Sequence, residues 1–306
     1  MRLTPQTLLA QAILAAHSDL ALNGACTPVC APDFAQVPAN AAAVYDAAHQ
    51  ACLALDFIVA DAHCVASAWQ RLFERTGTFD AKQWPDQPDD FGMAPWPRED
   101  AFAPCPRQLG LYAVLPDSVW VARMAKAGVP TVQLRFKSDD PQAIAREVRA
   151  AVQAVQGTDA LLFINDHWQA AIDAGAYGVH LGQEDLATAD LQKIRSAGLR
   201  LGLSSHGYAE MLYADRFSPS YLAMGAVFPT TLKRMVTAPQ GTGRLKAYAQ
   251  LMRNYPLVAI GGIDAHNLPE VLASGVGSVA VVRALVAAQQ PEAMAASLQA
   301  AIMAAA

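Results

Sequence analysis

Residues 131–157 read TVQLRFKSDDPQAIAREVRAAVQAVQG. A short β-rich run, Thr131–Leu134, gives way to a polar loop, and Asp140-Pro141 then opens a helix. Asp140 suits the N-cap, and Pro141 suits the first turn, where its missing N–H would have had no partner. Ile144, Val148, Val152 and Val155 form one apolar face before Gly157 stops the helix. The unit is strand, loop, helix, and it recurs along the chain. Strands are expected at Leu109–Leu115, Thr131–Leu134, Ala160–Ile164, Tyr177–Leu181, Leu199–Leu203, Tyr221–Met224, Leu257–Ile260 and Ser278–Val282. Gly128, Gly175, Gly198 and Gly275 end several of the intervening helices. Pro291 and Glu292 open the last helix, with Met294, Leu298 and Ile302 spaced four apart. Eight βα units in about 200 residues predict an α/β fold, a (β/α)8 TIM barrel of minimal size. An open doubly wound sheet is the alternative, and the count of eight favours closure.

Upstream of residue 107 the pattern changes. Helices are expected at about 5–20, 38–55 and 60–75, so the barrel is preceded by a small, mainly helical region covering residues 1–83. Residues 84–106 hold six prolines, the acids Asp86, Asp89 and Asp90, and Trp84 and Trp96. They read as a Pro-rich linker clamped to a surface by its tryptophans. The barrel, residues 107–306, is expected to be the catalytic domain and to fold without the rest.

The 306 residues are 53% hydrophobic and 16% charged, which describes a globular chain with a large core. A net charge of −5 gives no basic face for nucleic acid or an anionic membrane. No stretch approaches a membrane span. Leu8–Ala16 after Arg2 resembles a short signal peptide, but Thr4-Pro5 reads as an N-cap and first turn, so an ordinary helix is favoured. All five cysteines (Cys26, Cys30, Cys52, Cys64, Cys105) precede residue 106 in no compact zinc spacing, and reduced thiols in a cytoplasm are expected.

In such a barrel the active site lies at the carboxyl ends of the strands. After the second strand, alternation puts Gln133, Arg135 and Lys137 on one side, an anion site with a planar fork and a point charge. Asn165-Asp166 follows the third strand, and Gly182-Gln183-Glu184-Asp185 follows the fourth. Asp166 and Asp185, converging beside those cations, suit Mg²⁺, although helix capping would explain either one alone. The fifth strand ends in Ser204-Ser205-His206, and the sixth loop, the longest, carries Thr230 and Lys233. Gly261-Gly262 and the approach to Arg283 offer backbone amides where this fold usually holds a phosphate. One anion site is metal-assisted and the other mainly backbone, an arrangement suited to joining a diphosphate to a monophosphate.

In this order the segments resemble the thiamin phosphate synthase family over about residues 109–285. They are Gln-Leu-Arg-Phe-Lys at 133–137, Ile-Asn-Asp at 164–166, Gly-Val-His-Leu-Gly-Gln-Glu-Asp at 178–185, Phe-Pro-Thr at 228–230 with Lys233, and Ile-Gly-Gly-Ile at 260–263. The family condenses hydroxymethylpyrimidine diphosphate with thiazole phosphate and releases pyrophosphate. Residue by residue, the resemblance implies Mg²⁺ at Asp166 and Asp185. It implies pyrophosphate on Arg135, Lys137, Asn165, Ser204 and Lys233, the pyrimidine near Gln133, and the thiazole phosphate by Thr230, Gly261 and Gly262. Arg135, Lys137, Ser204 and Lys233 are the expected catalytic groups.

The chain departs from the family at Leu232, commonly threonine, and at Gly225-Ala226, often Gly-Pro. Residues 50–100 resemble the tail of a pyrimidine phosphate kinase fused to this synthase in some bacteria. The kinase's glycine pattern is broken at Gly24-Ala25-Cys26 and a kinase core has no room upstream, so no kinase activity is expected. Two other functions compete. One is a thiazole tautomerase-like isomerase using His206 as acid–base; the other is a non-catalytic regulatory or binding barrel. The expected partners are the two small-molecule substrates, with neither nucleic acid nor membrane; assembly into a homo-oligomer stays open.

Overall fold

A computed structural model describes residues 4–22, 40–230 and 237–305. Three helices come first, α1 (Pro5–Ala16), α2 (Ala41–Ala54) and α3 (Val59–Thr76). The strands β1 (Gly110–Leu115), β2 (Thr131–Leu134), β3 (Leu161–Asn165), β4 (Gly178–Leu181), β5 (Arg200–Ser205), β6 (Tyr221–Met224), β7 (Leu257–Ile260) and β8 (Ser278–Val281) follow. They pair in parallel, each with the next, and β1 pairs β8, closing an eight-stranded barrel. Between and after them run α4 (Ser118–Lys126), α5 (Pro141–Ala154), α6 (Trp168–Ala174), α7 (Leu191–Ser196), α8 (Tyr208–Asp215), α9 (Gly241–Leu251), α10 (Leu268–Leu272), α11 (Arg283–Val286) and α12 (Pro291–Ala304). The closed TIM barrel with a helical region before it is the fold the sequence predicts.

The local signals act as expected. Asp140 accepts from Gln142 N–H at 2.9 Å at the start of α5, and Thr4 Oγ1 accepts from Thr7 N–H at 3.3 Å to cap α1. Strand β5 runs two residues further than its apolar run, because Ser204 and Ser205 pair with Ala223 and Met224. The expected helix over 5–20 ends at Ala16 and gives way to a 3-10 turn, Ser18–Leu20.

Two apolar clusters result. Tyr112, Val114, Phe163, Tyr221, Val258 and Ala280 pack inside the barrel. Outside it, the strands' other faces meet the helices, and this cluster runs without a break into α1, α2 and α3. The helical layer sits on α8 and α9: Trp84 donates to Tyr208 Oη at 2.8 Å, Phe91 stacks on the Tyr208 ring, and Tyr208 meets Tyr248 edge to face. The Pro-rich stretch adds a buried ion pair between Arg98 and Asp215, 2.8 Å apart, on that same side. Among the described residues no helix is long and apolar enough to cross a membrane.

Candidate active site

A cavity of about 1000 Å³ opens at the carboxyl ends of the strands. Alternation on β2 sends Val132 and Leu134 to the helices and turns Gln133 inward, and Arg135 and Lys137 continue onto the cavity wall. Gln133 Nε2 donates to Asn165 Oδ1 at 2.8 Å, so the expected pyrimidine and pyrophosphate contacts stand side by side. Asn165, Asp166, Asp185, Ser204, Thr230, Gly261 and Gly262 line the same cavity. Lys233, Leu232, Cys26 and Cys30 lie outside the described residues.

Asp166 sits just past β3 with φ of 62°, its N–H donating to the His180 carbonyl at 3.0 Å across to β4. It does not cap α6. Burial, and then the neighbouring Asp185 carboxylate, push its acidity toward the protonated form. Asp185 also accepts from Gly182 N–H at 2.9 Å, which folds the β4 loop back on itself. Paired, partly desolvated carboxylates beside Arg135 and Lys137 are the hard-oxygen donor set that Mg²⁺ takes, with phosphate and water completing its shell. Among the described residues no group of three or more His, Cys, Asp or Glu side chains forms an all-protein metal cage. The donors fit a metal shared with substrate.

The floor of the cavity carries a hydrogen-bonded chain absent from the sequence-based site. Tyr112 and Tyr221 hydroxyls are 2.7 Å apart, Tyr221 Oη is 2.7 Å from His180 Nδ1, and His180 Nε2 is 2.8 Å from Ser204 Oγ. Burial raises both tyrosines far above their ordinary values, so they remain neutral and fix the imidazole, which orients the Ser204 hydroxyl. The one available signal was the inward parity of His180 on β4. His206 lies at the mouth, its Nδ1 2.6 Å from Glu210 Oε2.

Opposite, the β6 loop is stitched to the end of β7. Val227 N–H donates to Ile260 O at 3.0 Å and Phe228 N–H to Gly261 O at 2.9 Å. A β-carbon at Gly262, where φ is 67°, would lie 2.7 Å from Pro229 O. Glycine there serves the close approach of two loops.

The family description "thiamine monophosphate synthase" matches residues 112–285, from β1 through the cavity to α11. The chain belongs to the thiamine monophosphate synthase family. It is similar to a thiamine-phosphate synthase of Neisseria meningitidis serogroup A, with 54% identity over 199 residues, 65% of this chain and 97% of that protein. A Yersinia pseudotuberculosis thiamine-phosphate synthase is 50% identical over 179 residues, 58% of this chain and 83% of that one. In structure it is similar to a Pyrococcus furiosus thiamine phosphate pyrophosphorylase, with a TM-score of 0.57 and 28% identity over 65% of this chain and 98% of that one. The first hundred residues lie outside the family match.

Proposed function

We propose that this chain is a thiamin phosphate synthase, joining 4-amino-5-hydroxymethyl-2-methylpyrimidine diphosphate to 4-methyl-5-(2-phosphoethyl)thiazole with release of pyrophosphate. One observation carries the reading: Arg135, Lys137, Asn165, Asp166, Asp185 and Ser204 face one cavity whose opposite wall holds Gly261 and Gly262. A cationic cradle stands across from an amide-rich one, which suits one diphosphate and one monophosphate.

Arg135, Lys137 and Lys233 are assigned to the departing pyrophosphate, with Asn165 and the His180-oriented Ser204 hydroxyl donating to its oxygens. Asp166 and Asp185 would hold Mg²⁺, which supplies Lewis-acid neutralisation of charge on that leaving group. Gln133 holds the aminopyrimidine, and Thr230, Gly261 and Gly262 hold the thiazole phosphate. The carbon–oxygen bond to pyrophosphate breaks first, the electron pair leaving with the oxygen, and the electron-rich aminopyrimidine carries the resulting cation. The thiazole nitrogen lone pair then forms the new carbon–nitrogen bond. The protein's part is positioning and electrostatic stabilisation of the departing group.

A tautomerase-like isomerase would leave the carboxylate pair and the cationic wall without a task, and relatives named thiamine-phosphate synthase do not favour it. A cytoplasmic setting belongs to the same reading, supported by free Cys52, Cys64 and Cys105, with burial pushing the Cys64 thiol up to about 11 and the Cys105 thiol up to about 12. Incubation with both substrates and Mg²⁺ should yield thiamin phosphate, read by oxidation to fluorescent thiochrome phosphate. No product under those conditions refutes the function.

A further inference from the structure

Two loops of the cavity are held from outside the barrel. Helix α8 starts just beyond His206, and its N-cap is Gly207, which has no side chain to accept the first amides. The acceptor comes from α3 instead: Asp61 Oδ1 takes the Ala209 N–H at 2.8 Å. Asp61 is only 4% exposed, and a β-carbon on Gly207 would lie 2.1 Å from its other oxygen. The barrel keeps a glycine where the foreign carboxylate enters. One turn on, Glu210 accepts from His206 N–H at 3.0 Å and holds its ring. The cap, the helix and the Ser204–His206 segment form one connected unit.

The second link runs through α9. Arg244 is 2% exposed and lies 3.7 Å over the Phe57 ring. Its guanidinium donates to the carbonyls of Leu20 at 2.9 Å and Leu55 at 2.6 Å, both in the helical layer, and to Gln240 Oε1 at 3.0 Å. Gln240 N–H in turn donates to Ala226 O at 2.8 Å, and Gly241 N–H to Val227 O at 2.9 Å, which closes the base of the β6 loop. Ala226 lines the cavity.

We propose that Asp61 and Arg244 are positioning residues, through which the N-terminal helical layer sets the β5 loop and the base of the β6 loop at Ala226-Val227 for substrate. The proposal rests on the synthase reading above. Among the described residues the layer lines no part of the cavity; it raises the fraction of molecules whose loops are already in place, and apparent affinity scales with that fraction.

The test uses the full chain and three variants. Asp61→Ala removes the cap, Asp61→Asn keeps a carbonyl oxygen for the Ala209 amide, and Val44→Ala loosens the layer at a fully buried site in α2, a different helix from the one that carries Asp61. Asp61→Ala should raise KM for the pyrimidine diphosphate about fivefold, the ratio matching about 1 kcal/mol of cap energy, with kcat within about twofold. Amide hydrogen exchange over residues 206–210 should quicken in the same variant. Asp61→Asn should recover most of both, and Val44→Ala should lower Tm with both unchanged. Wild-type KM and exchange in Asp61→Ala, or equal shifts in Val44→Ala, would overturn the proposal. If the wild-type chain makes no thiamin phosphate, the synthase reading fails, and exchange over 206–210 alone decides the positioning claim.

Discussion

Arg98→Met should destabilise the protein by a calculable amount. The Arg98 guanidinium donates to both Asp215 carboxylate oxygens at 2.8 Å and also to the Asp215 carbonyl, with side chains only 7% and 5% exposed. Removing the cation leaves the carboxylate buried, and breaking such a pair typically costs about 3–5 kcal/mol. Tyr255 still donates to the same carboxylate at 2.8 Å, which places the cost at the lower end, about 3 kcal/mol. At about 2 °C per kcal/mol for a chain of this length, Tm should fall by roughly 6 °C. The assay is a thermal melt of wild type, Arg98→Met, Asp215→Leu and the double variant. The double variant should recover part of the loss, because no unpaired charge remains. A single variant melting within about 1 °C of wild type, or strictly additive losses, would show that this buried pair is not coupled as its geometry implies.

Three further outcomes follow. Asp166→Asn should cut turnover by orders of magnitude and raise the Mg²⁺ requirement without lowering Tm, because burial and Asp185 already oppose its charge; an unchanged Mg²⁺ titration counts against the metal site. His17 donates its Nε2–H to the Ala81 carbonyl at 2.9 Å, and burial lowers its pKa. Its contribution is therefore full above about 6.5, the unfolded value, and is lost as pH falls toward the lower folded value. His17→Gln should flatten the Tm difference between pH 7.5 and 5.5 relative to wild type, and parallel curves would contradict that. A trifluoromethyl group replacing the pyrimidine methyl should slow single-turnover chemistry by orders of magnitude with little change in binding, whereas a small or inverted effect would indicate direct displacement.

The barrel was legible because each strand is a short β-rich run and several helices end at a glycine in the αL region, such as Gly175 and Gly198. The β2 cations were legible for a related reason: Gln133, Arg135 and Lys137 share parity on one extended segment. The Tyr112–Tyr221–His180–Ser204 chain was not, since its members come from four strands that only closure brings together. The β5 end was misjudged because Ser204 and Ser205 look like loop until their pairing with β6 is known. Tyr208 and Tyr248 lie on helices whose outer faces a barrel normally gives to solvent, so their burial under α1–α3 depended on a layer with no chemical motif of its own. The same reason hid Asp61, a cap supplied from 148 residues away.

One cavity is assigned to two phosphorylated substrates. Pyrophosphate release, measured with each substrate alone and with both, decides whether that assignment holds. Release is expected only when the pyrimidine diphosphate, the thiazole phosphate and Mg²⁺ are present together, in equal amount to the thiamin phosphate formed. Steady release that ignores the thiazole phosphate, or no release with both substrates present, would contradict it.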